Sequence, residues 1–340
     1  MKRTRGIIAV AGLLGVMMAG AVLLASIAAA ADWPARPIQV FAWASAGGDT
    51  DLTNRTIWGI VEDHLKATVT VSNTTGALGG LAATKVWGAR RDGHTVLGMS
   101  EMLHPLPVVG AHPTTSKDWD VFVIGGGPGV ISVRADSPYK TFEDFARAAQ
   151  QNPGKITMGH CPPGCIWHVK GLLLTKYANL QFKFVPYKGS APAVTAVLTG
   201  EVDSVSASLG EQLEFIRAGR LRPLITTERD PLDYEGIKLQ AARAVLPGLE
   251  KAPEVFQWLG TAIPADTPDD IRTKWAEALK KAFASPKMQE VLKRRAMRPM
   301  GWEPKVSREK LAQADSVYMW LLQDLKLTVH SPETFGVPKP

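Results

Sequence analysis

The sequence predicts an α/β protein of two lobes, each a mostly parallel sheet flanked by helices. Short β-branched and aromatic runs alternate with amphipathic helical segments from residue 37 onward, a pattern typical of parallel sheets with crossover helices. About 309 of the 340 residues remain once a predicted leader of 31 is set aside, too many for one small core. The glycine-rich run Gly125–Gly129 separates two such sets of elements.

The clearest single unit is a strand, a helix and a second strand near the middle of the chain. Phe182–Val185 is a strand-like run, and Val202–Ala207 is the next one. Between them Ser190 is a suitable helix N-cap, and Gly200 ends the helix. Lys188 and the free N–H groups at that helix start could hold an anion, although the same residues serve equally well as plain structure.

The N-terminus is typical of a secretory signal peptide. Three cations precede an apolar run at 6–25, and the small residues Ser26–Ala31 then offer Ala-x-Ala cleavage sites. We therefore expect residues 1–31 to be removed, an exported chain that begins near Asp32, and a periplasmic location. An uncleaved membrane anchor is the alternative, because the apolar run is nearly long enough to span a bilayer.

The charge balance is mildly basic. The net charge of +7 falls to about +4 without the leader, which suits an anionic ligand but identifies none. The basic cluster Lys293–Arg295 with Arg298 lies at a predicted helix end, where cations complement the helix dipole and face solvent. We expect no nucleic-acid partner.

The first predicted lobe opens with a strand, a small-residue loop and a helix. Pro37–Trp43 is the strand, and the stripe from Leu52 to Leu65 marks the helix. Glycines in the loop would let a ligand approach backbone N–H groups closely. Asp49 or Thr50 could instead be the N-cap, and Asp51 either supports the helix start or contacts a ligand. The loop residues predicted to contact a ligand are Ala46, Gly47, Gly48, Asp49, Thr50 and Asp51.

The remaining elements complete two lobes. Ala67–Ser72 and His94–Ser100 are further strands of the first lobe, and Gln257–Ile263 is expected to return to it. Thr141 with Asp144, Ser285 and Ser307 are predicted to start helices. These elements place lobe 1 at 32–130 and 229–340, and lobe 2 at 131–228.

Two cysteines and two histidines fall within nine positions, at His160, Cys161, Cys165 and His168. Such a set could bind zinc or copper, although Cys-x₃-Cys-x₂-His is not a common structural zinc spacing. A local disulfide suits an exported chain, and a catalytic redox pair is disfavoured because its usual spacing is Cys-x-x-Cys.

Several ordered stretches resemble the solute receptors of tripartite tricarboxylate transporters, also called Bug receptors. They are Trp33–Asp51, Arg91–Thr95, Asn152–Lys155, Val185–Ala193 and Ile216–Arg222. The resemblance implies a periplasmic binding protein of type II, the Venus-flytrap kind. Such a protein closes on a small organic acid and delivers it to a membrane permease. It implies a monomer that is not an enzyme and has no cofactor and no metal.

The resemblance also carries site residues over to this chain. It pairs the loop Ala46–Asp51 with a second loop, Gly159–His168, across the ligand. Within the second loop the expected contacts are Gly159, His160, Cys161, Gly164, Cys165 and His168. Outside the two loops, Ser100, Gly189, Ser190 and Ser206 are also predicted to contact the ligand.

The second loop departs from the family pattern, and so does Asp49. Cys165 stands where a serine is usual, and Pro162-Pro163 stiffen the loop, so a hydroxyl contact is lost. Asp49 would either repel a second ligand carboxylate or select a ligand bearing an amine. Because the chain is expected to be exported and resembles this family, we predict a Cys161–Cys165 disulfide.

The alternatives to a solute receptor are a periplasmic hydrolase and a metal carrier that uses His160, Cys161, Cys165 and His168. No Gly-x-Ser-x-Gly or His-Glu-x-x-His motif of a hydrolase is found in the sequence.

Overall fold

A computed structural model describes residues 33–340. The predicted signal peptide and the expected start at Asp32 lie outside the described residues. Within 33–340, none of the helices combines the length and the apolar character that a membrane crossing requires.

The strands lie close to their predicted positions. In chain order they are β1 Ile38–Ala42, β2 Val69–Asn73, β3 Thr95–Ser100, β4 Trp119–Gly126, β5 Gly129–Arg134, β6 Thr157–His160, β7 Lys183–Pro186, β8 Ser204–Ser208, β9 Leu221–Thr226, β10 Leu232–Tyr234, β11 Ile237–Leu239, β12 Leu259–Pro264 and β13 Arg298–Trp302.

The helices connect these strands. They are α1 Asp49–Leu65, α2 Gly80–Trp87, α3 Phe142–Gln151, α4 Ile166–Ala178, α5 Ser190–Thr199, α6 Leu209–Arg217, α7 Ala242–Val245, α8 Asp269–Phe283, α9 Pro286–Arg294 and α10 Pro304–Asp324.

Two predicted caps are confirmed and two are wrong. Thr141 and Asp144 form a capping box at α3, and the Ser285 hydroxyl caps α9. Ser190, however, is the first residue of α5, and Gly189 is the N-cap. A Cβ on Gly189 would lie 2.4 Å from Ser45 Oγ, so this close approach excludes a capping side chain there. The last helix, α10, begins at Pro304, and its Ser307 hydroxyl donates to the Trp302 carbonyl.

The two-lobed α/β fold is confirmed. One sheet has the order β13-β4-β12-β3-β1-β2, and we call the lobe built on it lobe 1. The other has the order β7-β6-β8-β5-β9 and forms lobe 2; β10 and β11 make a separate hairpin. The predicted residue limits of the lobes stay a prediction.

Each sheet is mixed, and most of its strands point the same way, in agreement with the expected mostly parallel arrangement. β1 is parallel to β2 and β3, and β6 is parallel to β7 and β8. In contrast, β12 runs antiparallel to β3 and β4, and β5 runs antiparallel to β8 and β9. The reason is the chain path: β5 and β12 enter their lobes from the crossing between them. They therefore run against strands whose carboxyl ends point toward the opposite lobe.

Successive side chains of β4 point to opposite faces of the lobe 1 sheet. Phe122 and Ile124 join the cluster that contains Ile57 and Trp275, where α1 and α8 pack together. The intervening Val121 and Val123 belong to a second cluster on the other face, with α10. Phe122 and Ile57 are fully buried, and each such side chain contributes about 1.5–3 kcal/mol to folding.

The second apolar cluster continues from lobe 1 into lobe 2. Met99 and Tyr318 of lobe 1 belong to the same cluster as Cys165 and Trp167 of lobe 2. Burial of shared apolar surface therefore favours the closed arrangement of the lobes.

The crossing between the lobes is tightly packed at Gly126 and Gly127. The Gly127 N–H donates to Gln257 Oε1 at 2.8 Å, which joins the two crossing segments. A Cβ on Gly126 would lie 1.9 Å from the Gln257 carbonyl oxygen, so only glycine fits.

We predict that Gly126→Ala destabilises the protein by forcing these two backbone segments apart. Gly59→Ala is the control, because Gly59 lies inside α1 with open space around its Cα. That exchange is expected to stabilise the helix by about 0.8–1 kcal/mol. Urea unfolding checks both, and a Gly126→Ala variant as stable as Gly59→Ala would contradict the packing argument.

Candidate functional site

A small cavity lies between the two lobes. Its volume is about 30 Å³, which is about the share of one water molecule in the liquid, so the lobes are closed. Lobe 2 contributes Cys161, Trp167, Gly189, Ser190 and Glu211 to its lining. The other lining residues belong to lobe 1 or to the returning crossing segment: Trp43, Ala44, Ser45, Gly48, Asp49, Thr50, Ser100, Glu101 and Gln257.

A larger groove of about 690 Å³ lies beside the crossing segments, along 126–128 and 228–232. It contacts neither the loop before α1 nor the start of α5, so size alone does not identify the site.

Three helices begin at the cavity without a side-chain cap. Gly48, Cys165 and Gly189 are the N-caps of α1, α4 and α5, and none of them accepts a hydrogen bond through a side chain. The first N–H groups of a helix have no partner within it, and they carry the positive end of the helix dipole. Three such ends from two lobes can together bind an anion.

Asp51 shapes the loop before α1. Its Oδ2 accepts from the Gly47 N–H at 3.0 Å, and its Oδ1 accepts from Asn73 Nδ2 at 2.7 Å and Arg55 Nε at 2.9 Å. All these bonds lie within lobe 1, and Asp51 does not line the cavity. The geometry favours support of the helix start over ligand contact.

Asp49 joins the two lobes. It is 3% exposed, and its Oδ1 accepts from Arg295 Nε at 3.1 Å. Its Oδ2 accepts from Ser208 Oγ at 2.5 Å, and its N–H donates to Glu211 Oε1 at 3.4 Å. We call Asp49, Ser208, Glu211 and Arg295 the Asp49 cluster. The negative charge that the sequence predicts at the ligand is therefore paired with an arginine.

Two carboxyl groups at the cavity have strongly raised pKa values. Burial and the neighbouring Asp49 raise the pKa of Glu211 to about 8, although Arg295 opposes the shift. Glu211 is partly exposed, yet its carboxyl group packs within the Asp49 cluster. Burial raises the pKa of Glu101 to about 8 as well, and its buried Oε2 has no hydrogen-bond partner.

The loop before α4 is closed by a disulfide between Cys161 and Cys165, whose Cα atoms are 6.0 Å apart. The Gly164 N–H donates to His168 Nδ1 at 3.0 Å. The Gly164 carbonyl accepts from Tyr318 Oη at 3.0 Å, a bond from α10 of lobe 1 to this lobe 2 loop. The disulfide loop therefore forms part of the contact between the lobes.

His160 and His168 stack with ring centroids 4.3 Å apart. Burial lowers the pKa of His160 to about 4. Burial, and secondarily His160, lowers the pKa of His168 to about 3. Both rings are thus neutral near pH 7, and both cysteine sulfurs are in the disulfide. Across residues 33–340 no group of three or more His, Cys, Asp or Glu side chains is arranged to hold a metal ion.

The structure brings together seven of the predicted site residues and leaves nine away from the cavity lining. Those at the cavity are Gly48, Asp49, Thr50, Ser100, Cys161, Gly189 and Ser190. Those outside its lining are Ala46, Gly47, Asp51, Gly159, His160, Gly164, Cys165, His168 and Ser206. Ser206, for example, donates to the Trp167 carbonyl at 3.0 Å inside lobe 2. Ligand contact by any of them stays a prediction.

Sequence reasoning missed several residues at the cavity. Glu101 directly follows predicted site residue Ser100 at the end of β3, so its position was a usable signal. Trp167 lies inside the predicted loop Gly159–His168 but was not named as a contact, whereas Glu211, Trp43 and Gln257 lie beyond the two predicted loops. Arg295 was assigned to a solvent-facing basic cluster, which is wrong: the chain returns after α9 to pair it with Asp49.

We predict that the contribution of Glu211 to stability falls as pH rises and that Glu211→Gln removes it, while the lowered pKa values of His160 and His168 act in the opposite sense. The pKa of Glu211 is near 4.5 when unfolded and about 8 when folded, so the folded protein binds more protons between these values. The Glu211 contribution to the free energy of unfolding therefore decreases from about pH 4.5 to about pH 8. Between pH 5 and 8.5, urea unfolding should show a less negative change in the free energy of unfolding for Glu211→Gln than for wild type or for exposed Glu309→Gln, because the amide cannot ionise. Equal changes in all three would contradict the assignment.

The chain is similar to known proteins over most of its length. Residues 54–319 match the family model described as "Tripartite tricarboxylate transporter family receptor". A Pseudomonas sp. (strain P51) protein, "UPF0065 protein in tcbD-tcbE intergenic region", is 30% identical over 303 residues, covering 88% of this chain and 89% of the relative.

Solved structures agree. The periplasmic binding protein BugD is 25% identical with a TM-score of 0.78, covering 91% of this chain and 100% of BugD. An R. palustris protein solved with adipate shares the fold at 23% identity and a TM-score of 0.77, with coverage of 91% and 100%. The matching family model describes a receptor, and BugD is a periplasmic binding protein, so the prediction of a receptor and not an enzyme is confirmed. The chain belongs to the tripartite tricarboxylate transporter receptor family.

Proposed function

We propose that this protein captures a small organic carboxylate between its two lobes in the periplasm and delivers it to a tripartite tricarboxylate-type membrane permease. It acts as a monomer that reaches the periplasm through its N-terminal signal peptide. The adipate in the R. palustris neighbour supports a carboxylate as the ligand class.

The observation that carries this proposal is the convergence of three uncapped helix starts on one inter-lobe cavity. The starts of α1 and α5 line the cavity at Gly48 and Gly189, and the first turn of α4 reaches it through Trp167, so all three bring the positive end of a helix dipole to this cavity. A carboxylate held there by donors from both lobes would stabilise the closed form.

The cavity volume implies that the lobes open before the ligand enters. Because about 30 Å³ holds no organic acid, the lobes must separate to admit the ligand. The Asp49 cluster and the Tyr318–Gly164 bond would break on opening and form again on closure.

The alternatives have less support. A hydrolase needs a nucleophile beside a base, and the two histidines near the cavity are engaged with backbone groups of their own loop. A metal carrier needs free thiolates, whereas Cys161 and Cys165 are bonded to each other.

A thermal-shift screen of the mature protein against mono-, di- and aromatic carboxylates tests the proposal. A ligand at about a hundredfold its Kd should add roughly 2.7 kcal/mol to the free energy of unfolding. Gly48→Val should abolish the shift, because a side chain there points at Ser45 and Glu211, 3.3 and 3.5 Å from its Cβ. The control Gly59→Val should keep it. If no organic acid raises the Tm of the wild type, the proposal fails.

We further predict that Cys161→Ala/Cys165→Ala weakens carboxylate binding more than it lowers the Tm of the empty protein. So short a disulfide loop removes little entropy from the unfolded chain, but it fixes the start of α4. Calorimetric titration and thermal unfolding of both proteins compare the two effects. Intact-mass analysis after alkylation, with and without reductant, verifies the bond in wild type. Two freely alkylated thiols, or unchanged affinity, would contradict the prediction.

A further inference from the structure

Lobe 1 contains a cavity of its own, separate from the one between the lobes. Its volume is about 220 Å³, and it lies between α10, the end of β13 and the returning segment at 254–256. We call it the lobe 1 cavity. It has no lining residue in common with the cavity between the lobes. An apolar cavity of about 150 Å³ is known to hold benzene, so the lobe 1 cavity has room for one ring with a short substituent.

Aromatic rings form the buried end of the lobe 1 cavity. Trp258, His104 and Tyr318 line it and are 0%, 1% and 3% exposed. The His104 ring centroid lies 5.7 Å from that of each of the other two. The half-buried Phe256 and Trp302 line it nearer to solvent, with ring centroids 6.2 Å apart and planes at 76°. Because aromatic rings pack edge to face or offset-stacked, these surfaces suit a flat ring.

The polar atoms at the buried end are already hydrogen-bonded. His104 Nε2 accepts from Trp258 Nε1 at 2.9 Å, and His104 Nδ1 bonds to Asp315 Oδ1 at 2.6 Å. Tyr318 Oη donates to the Gly164 carbonyl at 3.0 Å. These bonds use both nitrogens of His104 and the donors of Trp258 and Tyr318. The buried end therefore offers mainly ring carbon surface, which favours an apolar group.

The outer edge of the lobe 1 cavity has a cation available to an anion. Lys310 is exposed, and its Nζ lies 5.1 Å from the centroid of the Trp302 ring. Of the described residues that line the cavity, only Glu254 is a carboxylate, and it pairs with Arg229 at 3.6 Å. Lys310 takes part in none of the ion pairs found within residues 33–340. The edge is therefore suited to a negatively charged group.

The lobe 1 cavity lies next to groups that connect the two lobes. Val255 and Phe256 belong to the segment that returns from lobe 2 to β12, directly before Gln257. Tyr318 reaches across to lobe 2 through its bond to Gly164. A molecule in this cavity would therefore contact the returning segment and a residue of the closure contact at the same time.

We propose that the lobe 1 cavity is a second binding site and that it takes a single-ring aromatic carboxylate. The ring packs against His104, Trp258 and Tyr318, and the carboxylate faces Lys310. The carboxylate stays at the exposed edge, where water still solvates it, so binding buries no unpaired charge. This inference goes beyond the proposed function and does not depend on it, because the two cavities are lined by different residues.

Fluorine NMR titration with 4-fluorobenzoate tests the site, since this method measures weak binding. The titration uses Gly48→Val, in which binding between the lobes is expected to be lost, and should show saturable binding of one equivalent. Adding Ala314→Phe should abolish that binding, because Ala314 lines the lobe 1 cavity and a phenyl ring there would fill it. Adding Ala312→Phe is the control and should keep it, because Ala312 is exposed on the same helix and lies outside the lining.

A matched ligand pair tests the role of Lys310. The amide 4-fluorobenzamide has the shape of 4-fluorobenzoate without its charge. We expect the carboxylate to bind about two- to fivefold more tightly than the amide, the range of exposed ion pairs. Lys310→Gln should remove this preference. The control Lys305→Gln should keep it, because Lys305 is exposed on the same helix and lies outside the lining.

Three results would overturn the inference. They are the absence of saturable binding, equal binding with Ala314→Phe and Ala312→Phe, and equal binding of the carboxylate and the amide. None of them affects the receptor function, which the thermal-shift screen tests at the other cavity. Circular dichroism shows whether each variant is folded. If Ala314→Phe is not folded, the comparison of Lys310→Gln with Lys305→Gln decides, and if Gly48→Val is not folded, the same variants are compared in the wild-type background.

Discussion

The closed arrangement of this protein depends on how the buried charge of Asp49 is balanced. A carboxylate that is 3% exposed requires a partner, because its desolvation would otherwise cost several kcal/mol. Arg295 supplies the charge from the end of α9, and Ser208 supplies a hydroxyl from the opposite lobe. The pairing of Asp49 is thus complete only when the lobes meet, which couples closure to a single side chain.

In the closed form, other polar groups at the cavity lack hydrogen-bond partners. The helix starts at Gly48, Cys165 and Gly189 have no side-chain caps, and Glu101 retains an unpartnered oxygen. Unsatisfied donors and acceptors in a nearly dry cavity favour a ligand that provides both kinds of partner.

The crossing segments constrain how the lobes move. Gly126 and Gly127 pack directly on Gln257, which belongs to the returning segment and also lines the cavity. We expect opening to preserve this contact and to break the Asp49–Ser208 and Tyr318–Gly164 bonds, which join one lobe to the other. The protein therefore combines a fixed contact at the crossing with polar contacts between the facing loops.

The sequence by itself determined the strands, the two lobes and the glycine loops, because these follow from local hydrophobic periodicity and from residues such as Gly48 and Thr141. It also indicated the family through ordered motifs. Strand direction was decided by the chain path between lobes, which periodicity does not encode. The pairing of the charges at the cavity was decided by tertiary structure alone. Arg295 is 246 residues from Asp49, and no local pattern relates two charges so far apart in the chain.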